Sequence, residues 1–510
     1  MSARNAKIIV ALTLAVLSLV LAANSMTKPL GRDEQMYCTA GVLMAKGKMI
    51  YRDFSYPAQM PYHPLLYAAI LRVLNTSWYL LVGRFVSVVC DVGVLICIAG
   101  IYRRIFKGFP VAGMLLGLAG GAFYVFNPSV DYANGYAWNH DIVILCVMLS
   151  FWLFLSTDFG SGGRYWRVAA IGGLLTFATC MRITTALVEI LFLVMLLIQP
   201  AGSMKQRLKP PLLFLAVAGA VASWPIWIIA QQPRAFFLNL VKIPQIYGEW
   251  LHKIGMIYNK RDLTLDAITR PGYFVLIVLA AYLFVAVFFR HRLEIKEVRN
   301  LLFAPLLTVT FFIIAFIPPT IWQQYLAMPV PFWIISFAYP LLYLREFAEE
   351  SSQSKRFRIA VVLIILCAVV AVGSQPIVLS RTLMLAAPEG WTPVQLHKIS
   401  QDIAQRAKEP KLALTLAPLF ALEGGCDIYT ELSAGSIIYR VGDSMSDQER
   451  AITHTVGPKT LGELIEKSPP AVVIVGVEME FLEEHLFKTA VKPDWERKVY
   501  ENGTVAYFRP

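Results

Sequence analysis

The stretch GRDEQMYCTAGVLMAKGKMIYRDFSYPAQMPYHPLLYAAILRV, residues 31–73, decides how the rest of the chain is interpreted. It separates two apolar runs, at 7–27 and 79–101, that are each long enough to cross a bilayer. Two adjacent carboxylates, Asp33 and Glu34, open the stretch within a few residues of the end of the first run. The stretch is too long and too patterned for a plain connector, so we predict a structured loop along the membrane surface.

The residues after the two carboxylates have the pattern of a helix in the membrane interface. Ala40, Leu43 and Met44 can line one face of that helix, and Gly47 can end it. A carboxylate at its start would lie close to the bilayer and still be accessible to water. Such a position suits a general base acting on a lipid-borne substrate, whereas an arbitrary Asp-Glu pair more often only keeps a loop solvated.

The composition is that of a protein embedded in a bilayer. Of the 510 residues, 57% are hydrophobic and 16% are charged, and the mean hydropathy is +0.58. A soluble domain has about a quarter of its residues charged. The net charge of +12 comes from basic residues scattered through short loops without a nucleic-acid motif, so no nucleic-acid partner is expected. The seven cysteines fall mostly in or beside apolar runs and predict neither a disulfide framework nor a metal site.

The apolar runs predict a mainly α, polytopic membrane protein of about eleven transmembrane helices. The first run could be mistaken for a signal peptide, but only the weak LAANS offers a cleavage site, so we interpret it as an anchor. The predicted spans lie near residues 7–27, 79–101, 110–126, 142–157, 168–181, 183–198, 212–231, 271–289, 300–317, 328–344 and 359–380.

The positions of Lys and Arg predict the orientation, because cytoplasmic loops retain positive charge. With a cytoplasmic N-terminus, the inner loops carry Arg103, Arg104, Lys107, Arg164, Arg167, Lys205, Arg207, Lys209, Arg290, Arg292, Lys296, Arg299, Arg345, Lys355, Arg356 and Arg358. An odd number of spans then places the C-terminus outside the cytoplasm. We expect a bacterial cytoplasmic (inner) membrane protein with a periplasmic or extracytoplasmic C-terminal domain.

The chain divides into two predicted domains. Residues 1–387 form a transmembrane domain with two long outer loops, at 28–78 and 232–270. Residues 388–510 have the composition of a soluble α/β domain, in which helical and strand patterns alternate and a hairpin turns at Asn502-Gly503. A helix is predicted to begin there with Thr392 as its N-cap. This domain offers no catalytic constellation, so we expect it to cap the site or shape access.

The motifs of the outer loops resemble those of a known superfamily. The order of an Asp-Glu pair, KGKMIYRDFSY and a Pro-rich PYHPLLY is similar to the first outer loop of the lipid-dependent GT-C glycosyltransferases. That superfamily includes the protein O-mannosyltransferases and the aminoarabinose and galacturonic acid transferases of lipopolysaccharide. Three later stretches, NPSVDYANGYAWNHD (127–141), GGLLTFATCMRITTALVEI (172–190) and PPTIWQQYLAMPVPF (318–332), resemble further GT-C motifs in the same order.

The resemblance implies roles for particular residues. Asp33 occupies the place of the catalytic base, and Asp141 matches the acidic residue of the second motif. Arg182 lies between two short apolar halves, where its guanidinium could bind the donor phosphate, or it could pair with Glu189. NHD is looser than the paired acidic motifs of the superfamily, so whether Asp33 or Asp141 binds a divalent metal stays open.

Other polar residues are candidates for substrate contact. Substrate-binding candidates are Glu34, which could instead tune Asp33, together with Asp141, His140, Gln323 and Tyr325. Donor-phosphate candidates are Arg182, Arg52, His63 and Lys242. Simpler interpretations exist: Arg52 could pair with Asp53, and His63 could only close a turn. Lys242 belongs to the loop 232–270, whose basic and aromatic residues, Tyr258 among them, fit either a lipid-phosphate cradle or an interfacial segment.

The predicted activity is transfer of a sugar from a polyprenyl-phosphate donor to an acceptor hydroxyl on the outer face of the membrane. The resemblance implies inversion at the anomeric carbon. The expected partners are the lipid-linked donor, a glycan, glycolipid or protein acceptor, and membrane lipid. No cofactor is required by the sequence. A lipid or glycan transporter or flippase is the alternative, but such proteins usually contain internal repeats, and we find none.

Overall fold

The computed structural model describes residues 3–157, 159, 165–199, 203–256, 259–288, 295–318, 322–346 and 351–510. In its N-terminal part the helices are α1 (Ala3–Thr27), α2 (Arg32–Ala45), α3 (Tyr62–Leu74), α4 (Tyr79–Ile105), α5 (Pro110–Val125), α6 (Pro128–Ala133), α7 (His140–Ser156), α8 (Tyr165–Thr179), α9 (Ala186–Leu197), α10 (Met204–Gln231), α11 (Pro233–Phe237), α12 (Ile243–Lys253), α13 (Lys260–Thr269), α14 (Pro271–Phe288), α15 (Ile295–Phe316), α16 (Val330–Ser336), α17 (Ala338–Glu346), α18 (Ser351–Gly373) and α19 (Pro376–Arg381). Four residues used above, Arg164, Tyr258, Arg290 and Arg292, lie outside the described residues.

The predicted apolar runs fold as helices. Within the described residues, six helices are long and apolar enough to cross a membrane, or seven if α13 and α14, bent by 77°, form one broken span. Shorter apolar helices, including α5 and α7, lie among them. The chain is therefore a mainly helical protein with several candidate spans, while the total of eleven stays a prediction.

The C-terminal part combines helices with a sheet. Its elements are α20 (Thr392–Arg406), β1 (Leu412–Thr415), α21 (Leu419–Leu422), β2 (Asp427–Ile428), α22 (Ser436–Gly442), α23 (Asp447–Thr453), α24 (Leu461–Lys467), β3 (Val472–Val475), α25 (Glu480–Ala490), β4 (Glu496–Val499) and β5 (Val505–Phe508). The sheet has the order β2-β1-β3-β5-β4, parallel from β2 to β3 and antiparallel from β3 to β4. Gly503, with φ +86°, makes the predicted hairpin turn between β4 and β5.

The first outer loop contains the helix that the sequence predicts. Helix α2 runs from Arg32 to Ala45, so that Asp33 and Glu34 lie in its first turn. Gly47 has φ +90°, a conformation in which glycine is favoured, and the chain leaves the helix there. The loop then returns to the span α4 through α3, against which α2 packs.

The C-terminal part packs onto this loop and onto the start of α4. The backbone N–H of Leu419 donates to Gln35 Oε1 on α2 (3.0 Å), and the N–H of Leu80 in the first turn of α4 donates to Glu423 (2.6 Å). The ring of His397 stacks on Trp78 with 3.7 Å between their centres. These buried contacts hold the C-terminal part against the elements that carry Asp33.

One cap prediction is wrong. Helix α20 begins at Thr392, but its N-cap is Trp391. The Thr392 hydroxyl instead donates to the carbonyl of Lys28 (2.6 Å). The side chain is used for a contact between the C-terminal part and the end of α1.

Candidate functional site

Asp33 lies in the first turn of α2, partly exposed at the surface of the outer loop. The pKa of its carboxyl is raised to about 6, mainly by burial and also by the nearby Glu478 and Glu34 carboxylates, against the opposing cations of Arg32 and Arg440. A carboxylate with a pKa just below neutrality is ionised at pH 7 and can still accept a proton. This is the protonation behaviour that a general base needs.

Glu34, next to Asp33, is fully buried, and both of its carboxylate oxygens accept hydrogen bonds within the protein. The Arg84 guanidinium donates to both of its oxygens, at 2.9 and 2.8 Å. The backbone N–H groups of Gly31 and Ala137 donate to them as well, at 2.7 and 2.8 Å. The structure thus gives Glu34 a structural role, joining α2 to α4, instead of the predicted contact with a sugar hydroxyl.

Arg182 lies in the short break before α9 and meets two other predicted residues. Its Nη1 donates to Nδ1 of His140 (3.3 Å), and its guanidinium lies 4.6 Å from the centre of the Tyr325 ring. The backbone of Gln324 also lies beside the His140 ring. The partner of Arg182 is thus His140 instead of Glu189, and the guanidinium is only partly buried.

Two tyrosines connect this group to Asp33. Tyr37, one turn after Asp33 on α2, lies within electrostatic range of Asp33, Arg182 and Tyr325. Tyr325 in turn lies within range of Asp33, Arg182 and Tyr247. Asp33, Tyr37, His140, Arg182 and Tyr325 therefore form one cluster, which we call the Asp33 site. It joins four stretches far apart in the sequence.

Asp141 lies in a different buried network. Its Oδ2 accepts from the N–H of Gly135 (2.9 Å), and Asp91 and Lys28 are its charged neighbours. Asp91 accepts from Tyr124 and Asn134, at 2.8 and 2.6 Å. Asp141 is fully buried there, and Asp33 is not among its charged neighbours.

Whether Asp33 binds a divalent metal stays a prediction. Among the described residues, no three His, Cys, Asp or Glu side chains converge as ligands would. The charged neighbours of Asp33 include two arginines, which would repel a divalent cation. No chemical step is therefore assigned to a metal.

The remaining donor-phosphate candidates lie outside the Asp33 site or have other partners. The exposed Arg52 donates to Asp53 (2.9 Å), and Lys242 pairs with Glu449 of α23. His63 is fully buried between the rings of Tyr37 and Tyr67, with centre distances of 4.8 and 4.6 Å. Of the four candidates, Arg182 is the one placed beside Tyr325, a residue that also lies within electrostatic range of Asp33.

Sequence reasoning did not find Arg84, Arg440 or Glu478. Arg84 had a usable signal, because a charged residue inside an apolar span must have a partner there. Arg440 and Glu478 had none, because they lie in a soluble-looking region and reach Asp33 only through tertiary packing. Gln323, which was predicted, is partly exposed in the same short turn as Tyr325.

Comparisons with known proteins find structural likeness without close sequence relatives. No family model matches the chain, and no curated protein matches it. The crystal structure of ArnT from Cupriavidus metallidurans bound to undecaprenyl phosphate matches 99% of this chain and 98% of its own, with a TM-score of 0.63 at 14% identity. The apo state of the same protein gives 0.60 at 13% identity.

A second solved protein has a similar but longer chain. The oligosaccharyltransferase of Archaeoglobus fulgidus, in a complex with Zn and sulfate, matches 97% of this chain and 73% of its own, with a TM-score of 0.51 at 10% identity. Taken with the order of the outer-loop motifs, these likenesses show that the chain has the GT-C fold over nearly its whole length.

Proposed function

We propose that the protein is a glycosyltransferase that moves a sugar from a polyprenyl-phosphate donor to an acceptor hydroxyl, with Asp33 as the general base. The observation that carries the proposal is the Asp33 site itself. A partly exposed carboxylate whose pKa burial raises to about 6 lies in one cluster with a partly buried arginine and two tyrosines. These groups supply a proton acceptor, a cation for a phosphate and hydroxyls for a sugar.

The proposed reaction is a single displacement. Asp33 removes the proton from the acceptor hydroxyl, and the acceptor oxygen forms a bond to the anomeric carbon. The bond from that carbon to the phosphate oxygen breaks, and polyprenyl phosphate leaves with the electron pair. Arg182 stabilises the negative charge that develops on this phosphate, because a guanidinium offers fixed donors to phosphate oxygens. This order of events inverts the anomeric carbon.

The nature of the donor is supported by the surroundings of the site. Arg182 lies between the apolar helices α8 and α9, and we propose that the lipid chain of the donor approaches it from the bilayer. The ArnT structure of similar fold was solved with undecaprenyl phosphate, which is the leaving group of the proposed reaction. We propose that the site faces the periplasm of a bacterial inner membrane, where sugars arrive on lipid carriers.

Mass spectrometry of envelope glycolipids and glycans tests the function. In a strain that lacks the protein, we expect one sugar to be missing from one acceptor and its polyprenyl-phosphate form to accumulate. The wild-type gene should restore the modification. A strain whose envelope glycans and lipid-linked sugars are unchanged would contradict the proposal.

Substitution of Arg182 tests its proposed contact with the phosphate. We expect Arg182→Gln to weaken binding of undecaprenyl phosphate to the purified protein by about tenfold or more, because a charge-assisted hydrogen bond contributes about 1.5–3 kcal/mol. Native mass spectrometry or a lipid-dependent shift in thermal stability measures the binding. Arg358→Gln is the matched control, since Arg358 is exposed on α18. Equal losses in both variants would reject the assignment.

A further inference from the structure

The C-terminal part of the chain contributes charged residues to the surroundings of Asp33. Arg440 lies on α22, and Glu478 follows β3. Glu478 Oε2 accepts from Arg440 Nη2 at 2.9 Å and lies 3.4 Å from Nε of Arg32, the residue before Asp33. We call Arg32, Glu478 and Arg440 the latch.

Two of the latch residues are buried and make several specific contacts. The side chains of Arg440 and Glu478 are only 2% and 4% exposed. The second oxygen of Glu478 accepts from the Ser436 hydroxyl (2.9 Å), and Arg440 donates to the Tyr247 hydroxyl (2.9 Å) while its guanidinium lies 5.1 Å from the ring centre of Trp250. The half-exposed Arg32 joins this buried ion pair through Glu478, so the latch links the first turn of α2 to α22 and, through Tyr247, to α12.

The charges of the latch act directly on Asp33. The titratable and charged groups facing Asp33 come from several elements: Arg32, Glu34 and Tyr37 on α2, Tyr247 on α12, Tyr325 before α16, Arg440 on α22 and Glu478 after β3. The charge of Glu34 is balanced by its buried partner Arg84. Of the charged groups around Asp33, Arg32 and Glu478 of the latch act on it most strongly, ahead of Glu34 and of Arg440, the third latch residue.

We propose that Glu478 is a positioning residue of the Asp33 site, holding the first turn of α2 through Arg32 and Arg440 and setting the charge balance around the Asp33 carboxylate. The C-terminal part is then a functional component of the site and more than a cover. The consequence for catalysis rests on the function proposed above. The effect on the charge balance does not rest on that function, because it depends only on which charged groups lie beside Asp33.

The proton affinity of Asp33 in the full-length protein, in lipid nanodiscs, tests the proposal. Dicyclohexylcarbodiimide reacts with protonated carboxyl groups, so peptide mass spectrometry of Asp33 labelling between pH 4 and pH 9 gives its protonation midpoint. We expect Glu478→Gln to move this midpoint down by about 0.5–1 pH unit, because an anion is lost. Arg32→Gln should move it up by about the same amount, because a cation is lost.

Two variants serve as controls. Asp427→Asn removes another carboxylate of the C-terminal part, which lies 3.4 Å from Lys46 and is 82% exposed, and it should leave the midpoint unchanged. Glu478→Asp keeps the charge and should restore most of the wild-type midpoint. If Glu478→Gln does not fold, the half-exposed Arg32 carries the same test with opposite sign.

An unchanged protonation midpoint of Asp33 in Glu478→Gln would overturn the proposal. If that variant does not fold, an unchanged midpoint in Arg32→Gln would overturn it instead. The labelling uses neither a sugar nor a lipid phosphate, so its result is separate from the proposed function. If Asp33 were not the base, the midpoint would still move while sugar transfer would not respond to the Glu478 variant.

Discussion

At the scale of residues, the central feature is the contrast between two adjacent carboxylates. Asp33 is partly exposed and has a pKa raised by burial to about 6, so it is ionised at pH 7 and becomes protonated as the pH falls below 6. Because the folded protein holds this proton more tightly than the unfolded chain, folding stability falls as the pH rises from the ordinary pKa of 3.8 to about 6, and the loss is complete above pH 6. Glu34 is fully buried and its charge is matched by Arg84. One carboxylate is available for chemistry, and the other holds the loop.

The sequence predicts Asp33 as a candidate base but not the role of its neighbour. Asp33 could be proposed because it opens a patterned loop after an apolar run. In the sequence, Glu34 and Asp53 both look like ordinary acidic residues. Only their partners in the folded protein distinguish their roles. Arg84 and Arg52 supply those partners, one fully buried and one exposed. Residue type and spacing do not reveal which of several arginines a carboxylate meets.

Removal of Arg84 should strongly destabilise the protein. Arg84→Ala leaves the Glu34 carboxylate buried without its counterion, which costs about 3–5 kcal/mol. The measurement is the midpoint of denaturant-induced unfolding of the purified protein. Arg72→Ala is the control, because Arg72 is exposed and donates only to the carbonyls of Ala45 and Met44. Similar unfolding midpoints for the two variants would contradict the structural role of the pair.

At the scale of elements, the site depends on how closely α2, α3 and α4 approach one another. Gly41 on α2 and Gly83 on α4 both face Tyr67 of α3. An added Cβ at Gly83 would lie 2.5 Å from the Tyr67 hydroxyl and 2.6 Å from Cβ of Ala137. The helices themselves follow from the apolar periodicity, but their close approach does not, because it depends on which small residues meet across the interface.

A methyl group at Gly83 should therefore disturb the packing beneath Asp33. We expect Gly83→Ala to destabilise the protein by about 1–3 kcal/mol, because the added atom overlaps neighbours that cannot move freely. Gly219→Ala on α10 is the matched control, since no atom lies within 4 Å of the added Cβ, and alanine also favours the helix. Thermal unfolding in nanodiscs measures both. The interpretation fails if Gly83→Ala unfolds at the temperature of the control.

At the scale of the whole molecule, a GT-C-like helical body carries a small α/β sheet structure on its outer loops. The sequence predicts both parts, because apolar runs and alternating strand and helix patterns are local signals. It does not predict that the C-terminal part reaches the site, since Glu478 lies more than 400 residues from Asp33 along the chain. Such contacts arise only from the packed molecule.

The predicted topology can be measured by cysteine labelling. All seven native cysteines are buried, so background labelling should be low. We expect a membrane-impermeant maleimide to label Glu501→Cys, in the exposed hairpin turn, in intact spheroplasts. It should label Lys107→Cys, in a predicted inner loop, only after the membrane is permeabilised. Labelling of the two positions in the reverse order would place the Asp33 site in the cytoplasm.

The central claim is that Asp33 accepts the proton of the acceptor hydroxyl during sugar transfer. The most direct measurement is the rate at which purified wild-type protein and Asp33→Asn release polyprenyl phosphate from lipid-linked sugar in the presence of the envelope acceptor fraction. We expect the wild-type rate to fall as the pH drops through about 6, the pKa of Asp33, and the Asp33→Asn rate to be at least 100-fold lower at every pH. The variant should unfold no earlier than wild type at pH 8, because it removes a carboxylate whose ionisation costs stability. A folded Asp33→Asn protein that transfers sugar at the wild-type rate would contradict the claim.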